Sequence, residues 1–227
     1  PGPSHRETIA TGTHAAAAGG FTSLLCMPDT APLCDNAGTL QQLVDKVDRD
    51  ACVRVYPTGC LTKGLNGVAL APSGQLQAAG AVALSDSGAP TQNNEIMRRA
   101  LEYAQMFDMP VFAQSQDTSM TDQAMMHEGE WSLRLGMKGW PKVAETIMVA
   151  RNVILAELTQ ARVHLQNISS AGSVEILRRA KARGIQVSAS VSPQHLSLTD
   201  AALKKYETNL KLQPPLGAES DRRALIE

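Results

Sequence analysis

Along the chain, short apolar runs rich in β-branched residues alternate with longer segments whose apolar positions recur every three or four residues. That alternation is the pattern of strands, each followed by a helix, on a parallel sheet. Six runs read as strands: Thr22 to Met27, Val53 to Thr58, Ala81 to Ser85, Pro110 to Gln114, Arg162 to Asn167 and Ile185 to Val191. Each is too short to read as a helix.

Two helical stripes lie between them. Ile96, Met97, Ala100, Leu101, Ala104 and Phe107 form one, and Val143, Ile147, Met148, Ile154, Leu155 and Leu158 form the other. Both stripes are expected to pack on the sheet. A further helix is expected from Ser170 to Arg183. It has a serine start, apolar Val174, Leu177 and Ala180 on one face, basic residues in its last turn and Gly184 as a stop.

Six such units fit either an open doubly wound sheet or a closed (β/α)8 barrel, and periodicity does not separate the two. No Gly-x-Gly-x-x-Gly follows the first strand and no Gly-x-x-x-x-Gly-Lys-Ser/Thr occurs. The phosphate-cradling loops of common open sheets are therefore missing, which moves the balance toward the barrel.

Composition narrows the partners. A formal net charge of -1 with 43% hydrophobic and 4% aromatic residues fits one globular domain and leaves no basic footprint for nucleic acid or a membrane surface. No run reaches the ~20 apolar residues that span a bilayer, and Pro1 to Glu7 lacks the apolar core of a signal peptide, so a cytoplasmic location is expected. Cys26, Cys34, Cys52 and Cys60 show no Cys-x-x-Cys spacing and no histidine at a metal-ligand offset. They read as reduced thiols packed in strands. With no Gly-x-Ser-x-Gly elbow and no cysteine beside a histidine, a covalent nucleophile has little support.

The stretch Glu7 to Gly12, Ala15 to Gly20, Phe21-Thr22 and Cys26-Met27-Pro28 resembles the opening third of a bacterial dihydroorotase of the amidohydrolase superfamily. The resemblance continues in order through Gly80 to Ala83, Met97 to Ala104, His127 to Glu130, Ile168-Ser169, Ala171 to Val174, Thr208-Asn209 and Pro214 to Leu216. It implies a (β/α)8 TIM-type barrel. The six units would be strands two to seven, making residues 1–227 a single incomplete barrel domain. The family's first strand, with a His-x-His metal pair, would lie before Pro1, and its last, with an Asp-His pair, after Glu227. A barrel without those strands would expose two unpaired edges, so the chain reads as a piece of a longer protein.

The resemblance also says where metal should be held. The family hydrolyses a ring amide with zinc, which polarises the carbonyl and acidifies a water. Three of its ligand positions fall inside this sequence, and all three differ. An aspartate is Ser87 in Ser85-Asp86-Ser87-Gly88, a histidine is Gln114 in Ala113 to Asp117, and a second histidine is Asn167 in His164 to Ser169. Serine, glutamine and asparagine are neutral oxygen donors that zinc rarely selects, so no metal is expected at these positions. His164, three residues from Asn167, should point to the opposite strand face and pack toward the helices.

The substrate positions have changed as well. Asp29 stands where the family's Met-Pro-Asn-Thr has an asparagine that helps bind a carboxylate, and two carboxylates repel. Gln213 and Gly217 occupy the ends of the family's Asn-Pro-Pro-Leu-Arg, so a guanidinium able to pair with an anion is gone. Ser192-Pro193-Gln194-His195-Leu196 keeps the family pattern as a structural match. His5, His14 and His127 have no partner at ligand spacing and read as surface or supporting residues.

The resemblance thus implies a catalytically inactive dihydroorotase-like protein of pyrimidine biosynthesis, with no cofactor, acting in an oligomeric complex as structural partner of aspartate transcarbamoylase. One alternative is an active cyclic amidohydrolase whose ligands lie elsewhere. A second is a barrel that binds a neutral or cationic metabolite through Asp29, Gln114 and Asn167.

Overall fold

All six expected strands form, and each carries the alternation or apolar run that marks it. The computed structural model describes residues 7–227, and the chain divides into two units between Phe112 and Ala113. His5 lies outside the described residues.

The first unit opens with α1 (Ile9–Ala18), a helix the strand pattern does not announce. Thr8 and Thr11 cap it reciprocally: the Thr11 backbone N–H donates to Thr8 Oγ1 at 3.1 Å and the Thr8 N–H to Thr11 Oγ1 at 2.9 Å. Then come β1 (Ser23–Cys26), α2 (Ala37–Asp50), β2 (Arg54–Cys60), α3 (Ser73–Ala78), β3 (Ala83–Ser85), α4 (Asn94–Met106) and β4 (Val111–Gln114). β1 pairs parallel with β2, β2 with β3 and β3 with β4, so neighbours in sequence are neighbours in the sheet. The helical crossovers bury Leu40 and Leu43 of α2, Leu76 of α3, and Met97, Ala100, Leu101 and Ala104 of α4. The α4 stripe therefore packs as its period requires.

The second unit holds α5 (Thr118–Thr121), β5 (Met126–His127), α6 (Glu130–Leu135), β6 (Gly139–Trp140), α7 (Val143–Thr159) and β7 (Val163–Gln166). It continues with α8 (Ala171–Ala182), β8 (Val187–Ala189), α9 (Pro193–Ser197), two short 3-10 segments and α10 (Glu219–Ile226). β7 and β8 pair parallel. β5 and β6 form a separate two-residue ladder that the sequence pattern misses, because two residues carry no period. Gly139 is required there: a Cβ on it would stand 2.7 Å from Glu128 Cβ and 2.8 Å from Glu128 Cα. α8 matches the expected helix, with Ser170 as N-cap accepting from the Ser173 N–H at 3.2 Å and Gly184 at φ +77° ending it.

Two expectations are corrected. The face of α7 turned inward is Ala144, Glu145, Met148, Val149, Asn152, Val153 and Ala156. Of the expected stripe only Met148 is buried, while Val143, Ile147, Ile154 and Leu158 are exposed. The helix is apolar on both sides, so its period has no single preferred phase. Of the four free cysteines, Cys26 and Cys60 lie in strands, but Cys34 is buried in a loop and Cys52 is exposed. Of the histidines read as surface or supporting residues, His14 is exposed and His127 is buried, a place open to a supporting residue. Among the described residues, no helix is long and apolar enough to cross a membrane.

Candidate functional site

Strand ends set the positions of the candidate residues. In β4 and β7 the burial alternates, with Val111, Ala113, Val163 and Leu165 fully buried and the residues between them half-buried. The half-buried face of β4 ends at Gln114, and that of β7 carries His164 and Gln166. His164 thus shares a face with Gln166 and not with the buried Val163 and Leu165, as alternation along the strand expects. Its Nδ1 lies 2.9 Å from Ser188 Oγ on the paired strand, and burial holds its pKa below the ordinary histidine value.

Asn167 leaves the strand at φ +51°, a left-handed conformation that asparagine tolerates better than most residues. Its N–H donates to Ser190 Oγ at 3.1 Å. This turn breaks the alternation and lets Asn167 line the same cleft as Gln166. The cleft is enclosed by Gln114, Ser115, Gln116, Trp140, Gln166, Asn167, Gln213 and Pro214, and its free space of about 20 Å³ is near that of one water molecule. Five carboxamides converge there. Gln213 Nε2 donates to Gln116 Oε1 at 2.8 Å, and Gln116 Nε2 to Thr121 Oγ1 at 2.7 Å, which fixes the orientation of both amides.

Two supports hold this cleft in shape. His195 Nε2 stands 3.2 and 3.3 Å from the carbonyl oxygens of Pro214 and Pro215. Carbonyls only accept, so Nε2 carries a proton and donates, while Nδ1 meets Ser192 Oγ at 2.7 Å. The histidine pins the segment that carries Gln213. Behind Asn167, the start of α8 is held by two buried acids. Glu145 accepts from the backbone N–H and hydroxyl of both Ser169 and Ser170 and from Ser173 Oγ. Asp221 accepts from the Ala171 N–H at 3.0 Å and from Lys142 Nζ at 3.3 Å. Carboxylates at a helix N-terminus satisfy its free N–H groups and its dipole together.

The first unit carries Asp29 and Ser87. Asp29 is exposed in the loop after β1, and a Cβ on Gly88 would lie 3.6 Å from its Oδ2, so it sits beside the turn that holds Ser87. The Ser87 N–H donates to Ser85 Oγ at 3.0 Å, and the neighbouring Asp86 is fully buried, accepting from the Thr91 N–H at 2.8 Å. Asp86 is thus committed to its own turn.

The structure therefore brings Gln114, Asn167 and Gln213 of the expected positions together. Gly217 lies apart from their cleft, packed so that a Cβ would meet Asp221 Cβ at 3.1 Å. Gln116, Gln166 and Trp140 also line the cleft and were not singled out from the sequence. The first two sit next to expected positions, but Trp140 arrives through the unforeseen β5–β6 ladder. Among the described residues, no group of three or more histidines, cysteines, aspartates or glutamates is placed to hold a metal ion. The donor set of the cleft is neutral throughout and does not fit zinc, which favours imidazole, carboxylate or thiolate.

Comparisons with known proteins agree on one family and one fold. Residues 1–173 match the family described as "Dihydro-orotase-like". The chain is 46% identical over 227 residues to a protein named dihydroorotase from Syntrophotalea carbinolica, and 48% identical over 227 residues to one from Pelotomaculum thermopropionicum. It covers 100% of its own length but 53% of each of theirs, so it spans about half the length of these curated relatives. Among solved structures, L-hydantoinase (dihydropyrimidinase) from Arthrobacter aurescens superposes with a TM-score of 0.82 at 16% identity, covering 96% of this chain and 50% of that one. A D-hydantoinase from Thermus sp. gives 0.75 at 18% identity, with the same two coverages. The likeness establishes the fold as α/β of the (β/α)8 kind, of which this chain supplies part.

Proposed function

We propose, from the premise that this chain belongs to the dihydroorotase-like family, that it is a non-catalytic member of that family. Its role in pyrimidine biosynthesis is to be a structural partner of aspartate transcarbamoylase. The observation that carries this reading is the convergence of Gln114, Gln116, Gln166, Asn167 and Gln213 on one cleft. Hydrolysis of a ring amide by the zinc-dependent chemistry of this family needs a Lewis acid and an acidified water. Five neutral amides supply neither the charge to hold a dication nor a group to take a proton from water.

The substrate side supports the same conclusion. Asp29 places a negative charge where a dihydroorotate carboxylate would be received, and Gly217 offers no guanidinium in compensation. Beside these neutral donors stand well-built anchors, Glu145, Asp221 and His195, that hold the loops in place. A chain with firm supports around a neutral cleft is suited to holding a partner in register.

The test is made on the full-length protein. Zinc per chain is measured by elemental analysis, and dihydroorotate hydrolysis is assayed on the same sample. Metal well below one equivalent and no turnover are expected. Stoichiometric zinc with turnover would overturn the reading in favour of an active cyclic amidohydrolase, the alternative that the names of the relatives favour. Co-purification with catalytic chains of aspartate transcarbamoylase tests the partner, and free separation of the two at working concentration would remove it.

A further inference from the structure

We propose that His127 and Asp200 form a pH-operated latch, which clamps the β5–β6 ladder and its Trp140 onto the segment carrying Gln213 when the histidine takes up a proton. The two side chains come from distant parts of the chain, His127 from β5 and Asp200 from the first residue of the 3-10 segment Asp200–Lys205. They are only 6 and 7% exposed. Gly129 lies between them: a Cβ on it would stand 3.4 Å from His127 Cδ2, 3.5 Å from His127 Nε2 and 3.8 Å from Asp200 Oδ2. The ring and the carboxylate therefore face each other across a residue with no side chain.

The surroundings leave these two groups to each other. The His127 ring makes no hydrogen bond to a described residue, and the Asp200 carboxylate is approached by the backbone N–H of Ala201. The other charges nearby are Glu130 of α6, Asp221 of α10, Glu145 of α7 and Lys142 just before α7. Each of these has its own partners. Glu130 pairs with Arg134 at 2.7 Å, Lys142 with Asp221 at 3.3 Å, and Glu145 accepts from Ser169, Ser170 and Ser173. Burial holds the Asp200 pKa above the ordinary carboxylate value; His127 opposes the shift, and Asp221 and Glu130 add to it. A buried carboxylate among other acids is stabilised by any cation brought to it, and histidine is the side chain that becomes one near neutral pH.

Both ends of the pair reach the carboxamide cleft. His127 is paired with Trp140 in the ladder, where the Glu128 N–H donates to the Trp140 carbonyl at 2.9 Å. The Asp200 N–H donates to the Gly217 carbonyl at 2.9 Å, on the segment that carries Gln213 and Pro214. Attraction between ring and carboxylate thus draws two walls of the cleft together, and loss of the proton releases the clamp.

Urea melts of the full-length protein, His127→Asn, Asp200→Asn and the double variant, at pH 8 and pH 6, test the pair. At pH 8 Asp200→Asn is expected to change stability equally with and without His127. At pH 6 it should be less favourable in the presence of His127, by about tenfold in the folding equilibrium constant. A coupling of the same size at both pH values, as packing alone gives, or none at either, would overturn the latch. Hydrogen exchange of the wild type reads it without any variant. Corrected for the intrinsic rates and measured against the amides of α8, protection of the Glu128 and Asp200 amides should rise from pH 8 to pH 6 by a similar factor. Protection that stays flat in the wild type would sink the proposal, as would an equal rise in Asp200→Asn.

Discussion

Glu145 and Ser170 are joined twice, the serine N–H donating to Glu145 Oε1 at 3.1 Å and its hydroxyl to the same oxygen at 3.0 Å. The carboxylate is almost fully buried on α7, yet its partners all belong to the turn that opens α8. It fixes the segment that follows Asn167, and so links a helix on one side of the sheet to the rim of the cleft. Glu145→Ala would leave two backbone N–H groups and three hydroxyls without their acceptor, since each unsatisfied buried group costs about 1–3 kcal/mol before the site relaxes. A net loss of about 3 kcal/mol is expected, read as a fall in Tm of roughly 10 °C. Glu145→Asp, which keeps the charge but shortens the reach, should lose less. Equal Tm values for wild type and Glu145→Ala would contradict the role given to this side chain.

His164 gives the stability a pH dependence whose sign is fixed by burial. Its folded-state pKa lies below the ordinary value of 6.5 because burial disfavours the cation. The unfolded chain then binds the proton more readily, so stability is full above 6.5 and falls as pH drops from 6.5 toward the folded value. Below that value the loss is complete and constant. His164→Gln, which retains a group able to meet Ser188 Oγ, should remove this part of the dependence. Urea melts of the two proteins at several pH values would show it, and parallel curves between pH 7 and 5 would rule it out.

The cysteines should separate into one reactive thiol and three inert ones. Burial is the first cause raising the pKa of Cys26, Cys34 and Cys60, and Cys60 is pushed up to about 12, with Asp35 adding to it. Cys52 is exposed. With Ellman's reagent at pH 8, one thiol per native chain is expected to react rapidly, and all four after denaturation. Two or more fast native thiols would show that the region around β1 and β2 opens.

The β5–β6 ladder brings Trp140 to the cleft and depends on Gly139. Gly139→Ala would drive a Cβ against the Glu128 backbone, which cannot move aside as a flexible side chain would. A loss of about 2 kcal/mol, within the range for overpacked sites, is expected in denaturant melts, with a change in tryptophan fluorescence. Gly136→Ala is a comparison in open space: it meets no atom within 4 Å and bears only the strain of φ +64°. If the two variants melt alike, the close approach at Gly139 is not what the ladder depends on.

The sequence by itself determined the strands, the α4 and α8 helices and the family. Period, capping and stop signals are local, and the chain obeys them wherever one face is clearly more apolar than the other. It also named Gln114, Asn167 and Gln213, because the order of the residues around them resembles the family's. Only the tertiary structure decided the rest. The inward side of α7 was not legible, since a helix apolar all round has no phase and the sheet chooses which side to cover. Asn167 joined Gln166 on the cleft because it turns left-handed, and one positive φ is enough to break a count of alternation. Trp140 and Gln116 reached the cleft through a two-residue ladder and a side-chain hydrogen bond that join residues distant in the chain. Such contacts leave no period behind: they exist only once folding has brought the two ends together.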